Sequence, residues 1–138
     1  MDRKVVEVQK VTEARRMNQA FADSFNARNI EELMSLYEPD ALVQGSPEGP
    51  LLKGAEDISQ MLSALMALPG KMTATNHFCL VQGELALLRA DWQIRDDDRV
   101  IASGSSAEVL RRQQDGRWLY CIDHAVGSSL ARVDGLAR

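Results

Sequence analysis

Cysteine and histidine are nearly absent from this chain. Cys79 and Cys121 are its cysteines, and His77 and His124 its histidines, in 138 residues. The cysteines have no CxxC spacing and fall in strand-like runs. They read as small buried hydrophobes in a reducing compartment rather than as a disulfide or a metal pair. Lone histidines without ligand spacing give no metal site to expect, and no cofactor is implied. Basic clusters are missing too. The 16 Lys and Arg residues are scattered and the net charge is −4, so the chain lacks the electrostatic footprint of a nucleic-acid or anionic-membrane binder. No run approaches the ~20 apolar residues of a membrane span. The N-terminal MDRKVVEVQK lacks the apolar core of a signal peptide, and the expected location is the cytoplasm. No repeat, low-complexity stretch or linker divides the chain. One domain is therefore expected over residues 1–138, with a core at about 12–127 and a tail at 128–138.

What is present is ordinary globular material, 45% hydrophobic and 26% charged, enough for one real core. Helical spacing runs from Thr12, a suitable N-cap, through Ala14, Met17, Phe21, Ala22 and Phe25 to about Arg28. Asn29 and Glu32 resemble a capping box ahead of the stripe Ile30, Leu33, Met34 and Tyr37, and Pro39 ends that second helix. A short strand at Ala41–Gln44, a turn over 45–50 and a return strand at Leu51–Lys53 follow. Glu56 and Asp57 suit the positive end of a third helix, in which Ile58, Met61, Leu62, Leu65 and Met66 keep helical spacing up to Pro69 and Gly70. The rest alternates as strands: Met72 to Val81, Leu85 to Arg95, and two long runs flanking Gln114-Asp115-Gly116-Arg117. Asp-Gly between alternating runs is a strong hairpin signal, because Gly supplies the positive φ the turn needs. Early helices and a late meander of strands predict an α+β fold, a curved antiparallel sheet wrapped around three N-terminal helices.

That order resembles the nuclear transport factor 2-like superfamily, which includes SnoaL-like polyketide cyclases and ketosteroid isomerases. The resemblance is carried by Phe25-Asn26-Ala27-Arg28-Asn29, by Leu36-Tyr37-Glu38-Pro39-Asp40-Ala41, by Leu52-Lys53-Gly54 with Ile58, and by Leu110-Arg111-Arg112 followed by Asp115-Gly116-Arg117-Trp118 and Asp123. It covers roughly residues 12–127. It implies a cone-shaped half-barrel with a pocket between the helices and the concave sheet face, and commonly a homodimer through the outer face. It does not fix one activity. Where the isomerases carry their catalytic Asp and their oxyanion-stabilising Tyr, this chain has Gly45 and Phe21, so steroid isomerisation in the known way is not expected. Their third residue, an acid on the penultimate strand, aligns with Glu108.

By that alignment the concave face carries Arg89, Asp91, Glu108 and Asp123 around one cavity, with Phe21 and Tyr37 as its aromatic lining. Several carboxylates near one guanidinium in a partly dry site do not ionise freely, and such perturbation is how acid and base roles are set. Glu108 and Asp123 are the acid/base candidates, and Arg89 would orient an anion. Equally, the four could form a structural ion-pair network. Strict alternation puts Trp118, Tyr120 and His124 on the outer face, with Trp92 beside them, as a dimer interface. Two functions therefore stand: a small-organic-ligand pocket with isomerase- or cyclase-like acid/base chemistry, or a non-catalytic dimeric association module with a filled or vestigial cavity.

Overall fold

The computed structural model of the chain describes residues 10–129. The first helix starts later than its periodicity predicts. Val11 is buried and its carbonyl accepts the Trp118 amide at 2.8 Å, so the lead-in is tied to the last strand instead of coiling from Thr12. A short 3-10 turn, Ala14–Arg16, then leads into α1, Met17–Asn26.

The junction after α1 is a clamp. Arg28 sits at φ 54° and donates to the carbonyls of Phe25 (2.8 Å), Leu68 (2.8 Å) and Gly70 (3.0 Å), while its guanidinium lies 4.1 Å above the Phe25 ring. Asn26 pairs with both backbone groups of Met72, at 2.9 and 2.7 Å. Together they fix the end of α1 against the residues that enter the first long strand.

Helix α2, Ile30–Met34, is capped as expected, with the Asn29 side chain accepting from the Glu32 amide at 3.0 Å. The Glu32 carboxylate takes the Ser24 hydroxyl (2.7 Å) rather than reaching back to Asn29. The helix ends before Pro39 because the Leu36 carbonyl is captured by the Tyr120 amide at 2.7 Å. Tyr37 therefore opens strand β1, Tyr37–Gln44, instead of closing a helical stripe. The two-residue β2, Leu52–Lys53, leads to α3, Ala55–Met66, which buries Ile58 and Leu62 and starts from Gly54 at φ 93°.

The remaining strands are β3 (Lys71–Gln82), β4 (Leu85–Asp96), β5 (Arg99–Ser105), β6 (Ala107–Arg112) and β7 (Trp118–His124). They form one sheet in the order β2-β1-β7-β6-β4-β3, with β5 also on β4. Every pairing is antiparallel except β1 on β7, which is parallel, so the sheet is mixed. Helices packed on one face of this curved sheet make an α+β cone. Beneath it, Met17, Leu33, Ile58, Leu88, Leu110 and Tyr120 belong to one apolar cluster, and Phe25, Met72 and Ile94 to a second.

Curvature comes from local irregularities. The long run expected over 100–112 bends at Ser106, where the Ala90 amide bonds the Ser106 hydroxyl (3.0 Å) in place of a carbonyl. Between Asn76 and Phe78, β3 carries an extra residue relative to β4. Between Ile122 and Tyr120, β7 carries one relative to β6. Such bulges bend and twist a strand and reset the alternation of its side chains. After β7 the chain runs beside β5. The Ala125 carbonyl accepts from the Trp92 indole (2.7 Å), and Ser128 and Ser129 bond the backbone of Ser105 and Ser106. Gly104 makes room for this segment: a Cβ there would lie 2.7 Å from Val126. Of the expected tail, Ser128 and Ser129 are thus anchored, and 130–138 lie outside the described residues. Cys79 and Cys121 are free thiols. Among the described residues no helix is long and apolar enough to cross a membrane.

The clamp predicts its own test. Arg28→Ala should lower unfolding stability by about 1–2 kcal/mol, since it removes charged hydrogen bonds that are partly solvent-shared. Arg28→Gly should lose less, because glycine adopts the left-handed conformation freely. Urea denaturation of the three proteins checks the order; equal losses would show that backbone strain plays no part.

Candidate functional site

Glu108 on β6 lies directly opposite Asp123 on β7, and both side chains are buried on the concave face. The β7 bulge makes this possible. Tyr120 and Asp123 are an odd number of residues apart, which regular alternation would send to opposite faces, yet both line one cavity. That cavity has a volume of about 440 Å³. Asn18, Tyr37, Ser106, Glu108, Tyr120 and Asp123 form its polar floor. Phe21 from α1, Met61 and Leu65 from α3, and Trp92 from β4 contribute to walls that are otherwise apolar. The turn at Gly45, Ser46 and Pro50 lies at its rim and is exposed.

A hydrogen-bond chain ties the floor together. The Tyr120 hydroxyl donates to Asn18 Oδ1 at 2.7 Å, and Asn18 Nδ2 donates to Glu108 Oε1 and to Asn76 Oδ1, each at 3.2 Å. The Tyr37 hydroxyl donates to Asp123 Oδ2 at 2.7 Å. The Tyr37 and Tyr120 rings lie with centroids 4.9 Å apart, tilted by 34°.

This setting pushes the two carboxyl groups apart. Burial raises Glu108, and the neighbouring Asp123 charge raises it further, to about 8 despite the Asn18 hydrogen bond. Burial also raises Asp123, but the Tyr37 phenol stabilises its ionised form, and it reaches about 6. Burial lifts both phenols well above their ordinary range, with the two carboxylates adding to it, so both stay protonated donors. Near neutral pH the pair therefore holds on to a proton, and the Tyr37 phenol on Asp123 favours Glu108 as its seat. A hydrogen-bond donor and a proton acceptor stand side by side on adjacent strands.

Phe21, Tyr37, Glu108 and Asp123 thus occur around one cavity. Arg89 and Asp91 do not join them. The inward side of β4 carries Ala86, Leu88, Trp92 and Ile94, which pack into the two apolar clusters, and Ala90, which lines the cavity, so the odd positions face outward. There Asp91 meets His77 Nε2 at 2.7 Å and the Ser105 hydroxyl, and the expected group of four splits into two pairs on opposite faces. The expected interface changes for the same reason. Trp92 and Tyr120 line the cavity and Trp118 is in the core, because β4 presents its even positions inward and the β7 bulge reverses the parity of everything before it. His124 stays on the outer side, half-buried, its Nδ1 accepting from the Val126 amide at 3.3 Å. Asn18 and Ser106 were not anticipated. Asn18 carried a readable signal: a polar residue within the apolar stripe of α1.

The SnoaL-like domain family matches residues 18–121. No curated protein matches the chain. Among solved structures, a ketosteroid isomerase-like protein from Erwinia carotovora atroseptica superposes with a TM-score of 0.62 at 16% identity, over 80% of this chain and 90% of that one. An NTF2-like protein of unknown function from Pseudomonas putida gives 0.67 at 19% identity, over 89% and 87%. Another from Shewanella oneidensis gives 0.64 at 14%, over 79% and 92%. At these identities the likeness is one of fold.

Stability should carry the signature of the carboxyl pair. Both groups are raised in the folded chain, so between about pH 4 and 8 the folded state binds more protons than the unfolded state. Their contribution is therefore fully present at low pH and lost as pH rises through 6 and then 8. Glu108→Gln removes the upper step and should gain stability over the wild type, by on the order of a few kcal/mol, as pH is raised from about 5 to 9. Denaturant unfolding at both pH values measures it; parallel profiles would mean that Glu108 keeps an ordinary carboxyl pKa.

Proposed function

The chain belongs to the SnoaL-like domain family, and from that membership we propose that it is a small-molecule acid/base protein. Asp123 accepts a proton from a compact, largely apolar substrate held in the cavity, and Glu108 donates one to an oxygen of that substrate. The observation that carries this is the pairing of Glu108 with Asp123 across β6 and β7, at the floor of an apolar cavity, with burial raising both and Glu108 further than Asp123. Acid and base groups are most effective when their pKa values lie near the working pH. Separating two neighbouring carboxyls in this way assigns one role to each. The positions where the isomerases carry base and phenol hold Gly45 and Phe21. Here the phenols come from strands instead: Tyr37 holds Asp123, and Tyr120 holds Asn18 against Glu108. The chemistry this supports is isomerase- or cyclase-like proton transfer next to a carbonyl. Two free thiols favour a cytoplasmic setting.

A second reading comes from the outer sheet face. Leu80, Leu87, Val109, Ile122 and Leu42 are register neighbours across five strands. Leu80 is 62% exposed, Leu87 45% and Ile122 45%. An apolar row of this kind on a soluble chain is the mark of a contact surface, and it supports a homodimer, whether the protein is an enzyme or an association module. His124 lies beside this row, opposite Ala107.

Two experiments separate the readings. In D2O with a panel of small ketones and β-hydroxy ketones, the acid/base reading expects deuterium incorporation or loss of water above the buffer rate. Asp123→Asn and Glu108→Gln should each slow it by about a hundredfold or more; activity that survives both substitutions would sink the assignment. Sedimentation should find a dimer that Leu87→Lys converts to a folded monomer. A wild-type monomer would remove the interface, while a dimer with no turnover on any panel member would leave the association module.

A further inference from the structure

The cavity holds a carboxyl pair that no described residue balances with a cation. Among the described residues, none that lines it is Lys, Arg or His, and Arg89 lies on the other face of the sheet. The charged and titratable groups facing Asp123 are Glu108 from β6, Tyr37 from β1 and Tyr120 from β7, and none of them is a cation. Asp123 Oδ2 takes the Tyr37 phenol, while Oδ1 has no hydrogen-bond partner among the described residues. Aromatic rings line the same cavity. Tyr37 and Tyr120 lie tilted with centroids 4.9 Å apart, and Phe21 meets Tyr120 edge-on at 6.2 Å. Trp92 completes the aromatic lining from β4. Ring faces attract cations, and a buried carboxylate without a counter-charge is costly until one arrives.

We infer that the cavity selects its ligand by charge and takes a lipophilic ammonium compound, whose ammonium meets Asp123 and whose apolar body lies against Phe21, Trp92 and Leu65. Carboxylates and phosphates are rejected, because they would face like charge with no partner of opposite sign. Side chains directly opposite on antiparallel strands have Cβ atoms about 5 Å apart. The ligand therefore places a hydrogen-bond acceptor close to its ammonium, where the protonated Glu108 can donate to it, as in an amino ketone or amino alcohol. This rests on the cavity being a small-molecule pocket and not on whether Asp123 moves a proton.

Three probes of one shape test it: phenethylamine, phenethyl alcohol and phenylacetate, titrated calorimetrically into the full chain near neutral pH. The amine should bind about tenfold tighter than the alcohol or better, and phenylacetate should not compete. Amine affinity should rise as Asp123 ionises through about 6, and Asp123→Asn should level amine and alcohol. If that variant does not fold, the pH dependence of the wild type decides. Equal binding of amine and alcohol, or binding of phenylacetate at comparable strength, overturns the charge selection and leaves the acid/base reading standing. Binding of none of the three by the folded protein overturns the charge selection together with the pocket on which it rests.

Discussion

The pairing of β7 with β6 slips by one residue between Ile122 and Tyr120, and the site exists because of that slip. On one side of it Tyr120 reaches Asn18 and, through it, Glu108. On the other, Asp123 turns inward to face Glu108 while Ile122 turns out to join the apolar row of the convex face. A regular β7 could present Tyr120 or Asp123 to the cavity, but not both. The bulge thus assembles the phenol–amide–carboxyl chain and the second carboxyl on one floor, and hands the outer face its isoleucine.

Placing two acids together under helices is expensive, and the surroundings limit how the cost is met. Asn18, held by the Tyr120 phenol, offers its amide to Glu108 but brings no charge. Tyr37 steadies Asp123 with a neutral donor. Neither arrangement lets both groups ionise comfortably, so the proton the pair retains is a property of the whole floor and not of one residue. A guanidinium in the cavity would have abolished this by pairing with a carboxylate. Arg89 is on the far side of β4, where Asp91, exposed, bonds His77 and Ser105.

Much of the architecture was legible in the sequence because it depends on local rules. The helical stripe of α3, the Asn29 cap and the Asp-Gly turn each follow from a few neighbouring residues, and each is found in place. The faces of β4 and β7 were not legible, because they depend on register. Trp92 reads equally well as an exposed or an enclosed residue in an alternating strand. Only the pairing of β4 with its neighbouring strands and the helices above decides that Ala90 and Trp92 face in and Arg89 and Asp91 face out. Strict alternation carried Trp118 and Tyr120 to the wrong side for the same reason: a bulge leaves no mark in a short apolar run. Glu108 and Asp123 were placed on the concave face by the alignment that the family resemblance implies, and both line the cavity. The late start of α1 and the early end of α2 had no local signal, since the groups that stop them, Trp118 and Tyr120, come about a hundred residues later.

At the opposite side of the sheet, β3 ends the order with no neighbour beyond it among the described residues. It is twelve residues long and carries exposed Phe78, Leu80 and Val81. A flat margin of that length and composition is a template on which identical chains add strand to strand. The extra residue between Asn76 and Phe78 breaks the margin into two shorter stretches of different twist, and Asn76 turns its amide back to the Arg15 carbonyl at 2.7 Å. The irregularity that bends the cone would, in a concentrated solution of this protein, also work against fibril growth.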